Sequence, residues 1–241
     1  MKRTLNPVSP LHCLPKEFGG EKLMILDSLR FTLEMLDHCS LQLSNCLTNI
    51  SLGNENKIHY KTFHYAWSII DHGQRFQKLY KVLDPPANSV IYNLDYLEIF
   101  RNAIQHVDIN LKKSNVKMLD NGRPIYGALK WVVNNPETGE KHTSLLISGI
   151  FNIKNIQFKQ HEHGEYPNLI NNIILETDTL KKKDNNEINL CKLVEDISEV
   201  TEKLDQRLNE TITSQKLQKL DWKSRKDVLL KIKNGSYLHN K

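Results

Sequence analysis

The chain has 241 residues, of which 39% are hydrophobic and 25% are charged, and its formal net charge at pH 7 is +5. This composition is typical of a globular protein with a sizeable core. No apolar run approaches the roughly 18 residues of a membrane span, and the four cysteines form no C-x-x-C pair that would indicate a zinc ribbon. We therefore expect a cytoplasmic protein without a membrane partner.

Four segments have the apolar spacing of amphipathic helices. They are residues 21–52, 57–83, about 95–110 and about 190–212. The second segment is followed by "DPP", which a helix cannot accommodate. Asp95 and Glu98 have the spacing of a capping box and predict where the third helix begins.

Between the third and fourth helices the apolar pattern becomes that of strands. "PIYGALKWVV" and "KHTSLLISGI" are rich in β-branched and aromatic residues, and the turn formers "NNPETGE" separate them. These segments predict a β-hairpin. "NNIILETD", at 171–178, predicts a further strand in the same small sheet.

Narrow apolar seams on four helices favour burial of the helices against one another. We predict a mainly α fold, an antiparallel four-helix bundle with a β-hairpin or small sheet inserted between helices 3 and 4. The alternative is a helical N-terminal domain followed by a separate α+β domain. The predicted divisions are an N-terminal segment (1–20), a bundle (21–213) with its β insertion at about 123–178, and a basic C-terminal segment (214–241).

The C-terminal segment carries eight Lys or Arg residues against two Asp. A basic segment suits a polyanionic partner such as RNA, although a solvated basic end explains the charge equally well. Its candidate nucleic-acid-binding residues are Lys216, Lys219, Lys223, Arg225, Lys226, Lys231 and Lys233.

The third predicted helix contains an unusual group of polar residues, Arg101, Asn102 and His106. At about 100° per residue, Asn102 and His106 lie together beside an apolar face, while Arg101 lies about 140° from His106. The predicted apolar face comprises Tyr96, Leu97, Ile99, Phe100, Ala103, Ile104 and Val107. One straight helix cannot direct Arg101 and His106 to one point. Two helices that cross near a two-fold axis could, so we expect a homodimer.

The motif "RNAIQH", residues 101–106, resembles the signature of the HEPN superfamily. The resemblance covers the helical segments, about 21–110 and 187–213. It implies a four-to-five-helix bundle with the motif on the third helix, and a cytosolic, often dimeric protein. Many HEPN proteins are metal-independent ribonucleases of toxin or antiviral defence systems, and others are not catalytic.

On this resemblance the catalytic residues are Arg101, Asn102 and His106, with no cofactor or metal, and an antitoxin or other regulatory protein is a further partner. Asp108 stands where one HEPN subgroup carries the tyrosine that a nucleotidyltransferase antitoxin modifies, so that particular partner is not expected.

The residue types suit metal-independent RNA cleavage. An imidazole with a pKa of about 6.5 can accept or donate a proton near neutrality, and a guanidinium matches phosphate oxygens. The alternative is structural: Arg101 pairs with a nearby carboxylate and His106 covers the edge of the core. Asp71 and Arg75, four residues apart on the second helix, either support the site or form a solvated salt bridge.

His161 and His163 lie in a His- and Glu-rich stretch, but their spacing matches no established zinc site, so no metal is predicted.

The function expected is RNA cleavage by an enzyme of the HEPN type. The alternative is a non-catalytic helical module that binds a partner protein through the same polar helix face and the hairpin.

Overall fold

The computed structural model describes residues 1–52, 58–105, 126–134, 141–148, 170–177 and 187–219. Its helices and strands are α1 (Gly20–Ser51), α2 (His59–Lys81), α3 (Leu97–Gln105), β1 (Ala128–Asn134), β2 (Lys141–Ile147), β3 (Ile170–Glu176), β4 (Glu187–Asn189) and α4 (Leu190–Ser214). Short 3₁₀ turns lie at Pro10–His12, Lys16–Phe18 and Val90–Leu94. The prediction of a mainly helical protein with a small antiparallel sheet between its third and fourth helices is confirmed. None of the described helices is long and apolar enough to cross a membrane.

Helix α2 is the centre of the helical part, because it packs against α1, α3 and α4. A Cβ atom at Gly73 would lie 3.4 Å from side-chain atoms of Leu97 on α3 and Ile197 on α4, at van der Waals contact with both helices. The three helices therefore meet closely at one glycine. The leucine seam predicted for α1 is buried, with Leu26, Leu29, Leu33, Leu36, Leu43 and Leu47 all fully inaccessible.

The predicted capping box of the third helix is wrong. Helix α3 begins at Leu97, so Asp95 lies one residue too early to be its N-cap. The Asp95 carboxylate instead accepts hydrogen bonds from Gln77 Nε2 at 2.7 Å and Lys81 Nζ at 2.5 Å. The side chain that the sequence pattern assigned to the start of α3 therefore forms a tertiary contact with α2 instead.

The sheet has the strand order β2-β1-β3-β4 and is antiparallel throughout. Strands β1, β2 and β3 correspond to the predicted hairpin and further strand. Strand β4 was missed, because three residues in a polar stretch give no detectable period. It leads directly into α4, where the Asn189 side chain accepts a hydrogen bond from the backbone N–H of Lys192 at 3.0 Å and caps the helix.

Two tryptophans fasten the sheet to the helices. The indole N–H of Trp131, on β1, donates to Ser51 Oγ at the end of α1 (3.0 Å), and that of Trp67, on α2, donates to the carbonyl of Tyr126 (3.1 Å). Gly127 follows with φ +94°, and a Cβ there would lie 2.6 Å from the carbonyl oxygen of Glu176. Only glycine fits this approach, which brings the chain before β1 close to β3.

The N-terminal segment is part of the core rather than an appendage. Leu5, Leu11 and Leu14 are fully buried. The Asp37 carboxylate of α1 accepts hydrogen bonds from the backbone N–H of Thr4 (2.6 Å), its hydroxyl (2.7 Å) and the backbone N–H of Leu5 (3.1 Å). The sequence division drawn at residue 20 therefore does not separate two packing units.

We predict that Asp37→Ala destabilises the fold by about 1–3 kcal/mol, because it leaves partly buried backbone N–H groups without their acceptor. Urea unfolding followed by circular dichroism measures the change. The matched control is Glu199→Ala, which removes an exposed i, i+4 ion pair with Lys203 and should leave the unfolding midpoint nearly unchanged. Equal stability of the two variants would show that Asp37 does not anchor the N-terminal segment.

Candidate active site

The predicted apolar face of α3 is confirmed in part. Leu97 and Phe100 are buried and Ile104 packs against the core as expected, but Ile99 is 45% exposed and Tyr96 is 37% exposed. Arg101 lies on the inner side, with only 26% of its side chain exposed. Relative to the predicted orientation, α3 is rotated so that Arg101 faces α2. There a carboxylate of α2 accepts a hydrogen bond from the guanidinium group, in the contact between the two helices.

That carboxylate belongs to Asp71, which joins two arginines. Its Oδ1 accepts a hydrogen bond from Arg101 Nε at 2.7 Å, and its Oδ2 accepts one from Arg75 Nε at 2.8 Å. The i, i+4 contact with Arg75 is the salt bridge predicted from the sequence. The side chain of Asp71 is 25% exposed and that of Arg75 is 53% exposed, so Arg75 lies at the outer end of the arrangement.

The ionic state of Asp71 follows from its surroundings. Burial alone would raise the pKa of its carboxyl group, but the hydrogen bond and charge of Arg101, together with the charge of Arg75, lower that pKa below the usual value. A lowered pKa means that the paired state is complete at neutral pH and is lost only as the pH falls below the usual carboxyl range of about 4. Asp71 is therefore a fixed anion between two cations.

Gln105, one turn after Arg101 on α3, holds the same guanidinium. With its amide oxygen turned toward Arg101, it accepts hydrogen bonds from Nη2 at 2.9 Å and from Nε at 3.2 Å. Arg101 is thus fixed from both helices. Because Asp71 and Gln105 occupy one side of the group, Nη1 is the nitrogen best placed to bind a further anion.

The arginine pair lies at one side of a cleft of about 540 Å³ between α2, the end of α3 and the start of β1. Phe63 and Trp67 contribute buried surface, whereas Tyr60 and Tyr126 are 68% and 43% exposed. The remaining lining residues are His64, Ser68, Asp71, Arg75, Arg101, Ile104, Gln105 and Ser148. A cleft with an aromatic wall and two guanidinium groups suits a ligand that is flat in one part and anionic in another.

The structure brings together some of the predicted site residues. Arg101, Asp71 and Arg75 meet at the cleft, whereas Asn102 is exposed and does not line it. His106 lies outside the described residues, as do the His161/His163 stretch and the basic residues from 223 onward. Lys216 and Lys219 are described and exposed, beyond the end of α4. Within the described ranges, no group of three or more His, Cys, Asp or Glu side chains is arranged to hold a metal.

Tyr60, His64, Gln105 and Tyr126 line the cleft but are not among the predicted site residues. A signal existed for the first two. On α2, Tyr60 and His64 are four residues apart, as are Asp71 and Arg75, and seven residues separate His64 from Asp71. This spacing places all four along one face of the helix. Tyr126 had no such signal, because it reaches the cleft only through the packing of the sheet.

Comparison of the chain with protein-family models, curated proteins and solved structures finds no match. The function is therefore inferred from the residues of the cleft and from the motif that includes Arg101.

Proposed function

We propose that the chain is a HEPN-like, metal-independent endoribonuclease of a toxin or antiviral defence system, active in the cytoplasm as a homodimer. The observation that carries the proposal is the setting of Arg101. The first residue of the R-N-x-x-x-H motif stands at a cleft and is held by Asp71 and Gln105. The contact of Arg101 with Asp71 is also the one expected on the structural alternative, in which Arg101 pairs with a nearby carboxylate. What favours a functional role is that the guanidinium group lines an open cleft, where it can bind a phosphate group.

The helical arrangement is compatible with this proposal. The motif residue is on the third helix, α3, and α3 packs against the second helix, α2, which supplies Asp71. We infer that α1–α4 form an antiparallel bundle of the HEPN type, with the sheet as an insertion between α3 and α4. His106 follows Gln105 directly in the sequence, so a continuation of α3 would add it one turn beyond Asn102.

The proposed reaction is transesterification within the RNA strand. One histidine accepts the proton of the 2′-hydroxyl group, and O2′ attacks phosphorus and forms a new bond to it. The bond from phosphorus to O5′ then breaks, and the partner's His106 donates a proton to the departing oxygen. Arg101 stabilises the added charge on the phosphate oxygens. The products are a 2′,3′-cyclic phosphate and a 5′-hydroxyl end.

We predict that RNA cleavage persists in EDTA and is lost in His106→Gln, because glutamine cannot exchange protons near neutral pH. Loss of a proton-transfer group costs about 10²–10⁴-fold in rate. Arg101→Lys should lose at least about tenfold, because a single ammonium group cannot bind Asp71 and a phosphate with separate nitrogens. The measurement is cleavage of a labelled RNA, with the chemistry of the new ends determined.

The control is Lys203→Gln, which removes an exposed, ion-paired cation elsewhere on the chain and should leave cleavage unchanged. Asn102→Ala should have a milder effect than either catalytic substitution, since its side chain lies outside the cleft. Cleavage that requires a divalent metal, or that survives both His106→Gln and Arg101→Lys, would rule out this mechanism.

The exposed surface at the start of α3 supports the proposed dimer, since Ile99 and Tyr96, which directly precedes the helix, present apolar surface there. We predict that Ile99→Asp converts a dimer, of twice the chain mass of 28.0 kDa, to a monomer in light scattering at micromolar concentration. Met24→Asp, at a 71% exposed position on α1, should remain dimeric.

Mixing the Arg101 and His106 variants should restore part of the activity if each site draws on both chains. A monomeric parent protein, with and without RNA, would contradict the dimer.

The basic C-terminal segment is the proposed guide for the RNA strand. We predict that removing residues 214–241, or replacing their eight Lys and Arg residues with Gln, weakens RNA binding and flattens its salt dependence, because fewer counterions are released. Affinity is measured by fluorescence anisotropy at several salt concentrations. An unchanged affinity and slope would identify the segment as a solubility or packing element.

The second candidate function is a non-catalytic module that binds a partner protein, such as an antitoxin or another regulatory protein, through the exposed surface at the start of α3 and the β1–β2 hairpin. Tyr96 and Ile99 on that surface favour it as much as they favour a dimer. Absence of RNA cleavage together with a stable monomer would select this alternative.

A further inference from the structure

We propose that the cleft beside Arg101 is a nucleotide-binding site with two parts, a phosphate subsite at Arg75 and Arg101 and a base subsite at Tyr60 and Tyr126. The ligand class is a nucleotide unit, either within a single RNA strand or free. The proposal rests on the proposed function, since it states how the RNA substrate is held. Binding can nevertheless be measured separately from cleavage.

The charge balance of the cleft favours an anion. Among the described residues that line the cleft, two guanidinium groups face the one carboxylate of Asp71, which leaves one net positive charge there. Lys78, three residues after Arg75 on α2, has its own partner in Glu98 at 3.6 Å. The excess positive charge of the described lining therefore lies at Arg75 and Arg101. Both contact Asp71 through Nε, which leaves terminal nitrogens for phosphate oxygens.

The aromatic side of the cleft favours a flat ligand. Tyr60 and Tyr126 are large lining side chains that are 68% and 43% exposed, whereas the rings of Phe63 and Trp67, which also line the cleft, are buried. Trp67 already donates its indole N–H to the Tyr126 carbonyl, so this contact fixes the wall of the cleft. Aromatic side chains next to cationic ones are the usual means of holding an unpaired base and its phosphate.

The composition of the cleft favours a nucleotide. Its lining combines two guanidinium groups with two exposed tyrosine rings, which together suit a phosphate and a base. The cleft volume of about 540 Å³ lies within the range of about 300–1,000 Å³ that is usual for small-ligand sites. His64 and Gln105 add polar groups that can contact the edge of a base.

The test uses the full-length chain carrying His106→Gln, so that RNA is not consumed, and a fluorescent single-stranded RNA of six nucleotides in EDTA. Tyr60→Leu removes the ring but keeps an apolar side chain, and it should weaken binding at least tenfold without changing the salt slope. Tyr60→Phe should retain binding, since the ring face is kept. Arg75→Gln should weaken binding and lower the salt slope by about 0.7, the value for one phosphate contact on a single strand.

The matched controls lie away from the cleft. Tyr92→Leu removes another partly exposed tyrosine, and Lys203→Gln removes another cation held in an i, i+4 ion pair. Both should bind RNA within twofold of the parent. Thermal unfolding of every variant establishes that the fold is retained.

Competition identifies the ligand. Adenosine monophosphate should displace the RNA at lower concentration than inorganic phosphate does, because it occupies both subsites. Displacement by RNA alone would restrict the site to a strand. Equal competition by inorganic phosphate, stronger competition by a phosphotyrosine peptide, or Tyr60→Leu and Arg75→Gln variants that bind like the controls would overturn the proposal.

The two proposals fail in different ways. Normal binding by the cleft variants, combined with loss of cleavage in His106→Gln, would remove the nucleotide site and leave the ribonuclease. Weakened binding by those variants in a protein that cleaves no RNA would leave a nucleotide-binding module and remove the enzyme.

Discussion

The carboxylate of Asp71 accepts hydrogen bonds from Arg75 on its own helix and from Arg101 on α3. A charged pair in the contact between two helices is stable only when each partner has well-placed acceptors or donors, because removal from water is costly. The pairing therefore fixes the rotation of α3, brings Arg101 inward and leaves Ile99 exposed. The cleft exists because α3 is held in this orientation while the sheet is fastened beside it.

The sheet contributes to the candidate site through the contacts that attach it to the helices. Trp67 joins α2 to the carbonyl of Tyr126, and Gly127 allows the chain to pass close to β3 immediately afterward. Trp131 fastens the same strand to the end of α1. The inserted sheet thus supplies one wall of the cleft, and the proposed nucleotide site combines residues that are distant in the sequence.

The residues around Asp71 have complementary roles in the two proposals. In the proposed ribonuclease, Arg101 stabilises charge at the phosphorus atom that reacts. In the proposed nucleotide site, Arg75 and Tyr60 hold the neighbouring parts of the strand. Asp71 serves both tasks by orienting two guanidinium groups with one carboxylate, and its lowered pKa keeps it ionised wherever the histidines of such a site would work.

The sequence alone determined the helices, three of the four strands and the Asp71–Arg75 pair, because local periodicity and i, i+4 spacing carry that information. It also identified Arg101 as a candidate, through a motif whose His106 lies beyond the described residues. Only the tertiary structure decided which face of α3 is buried, since nine residues with apolar side chains on several sides fit more than one rotation. Three other features likewise depend on residues far apart in the chain: the Arg101–Asp71 contact, the position of Tyr126 and the burial of the N-terminal segment. Local sequence patterns cannot predict contacts between such distant residues.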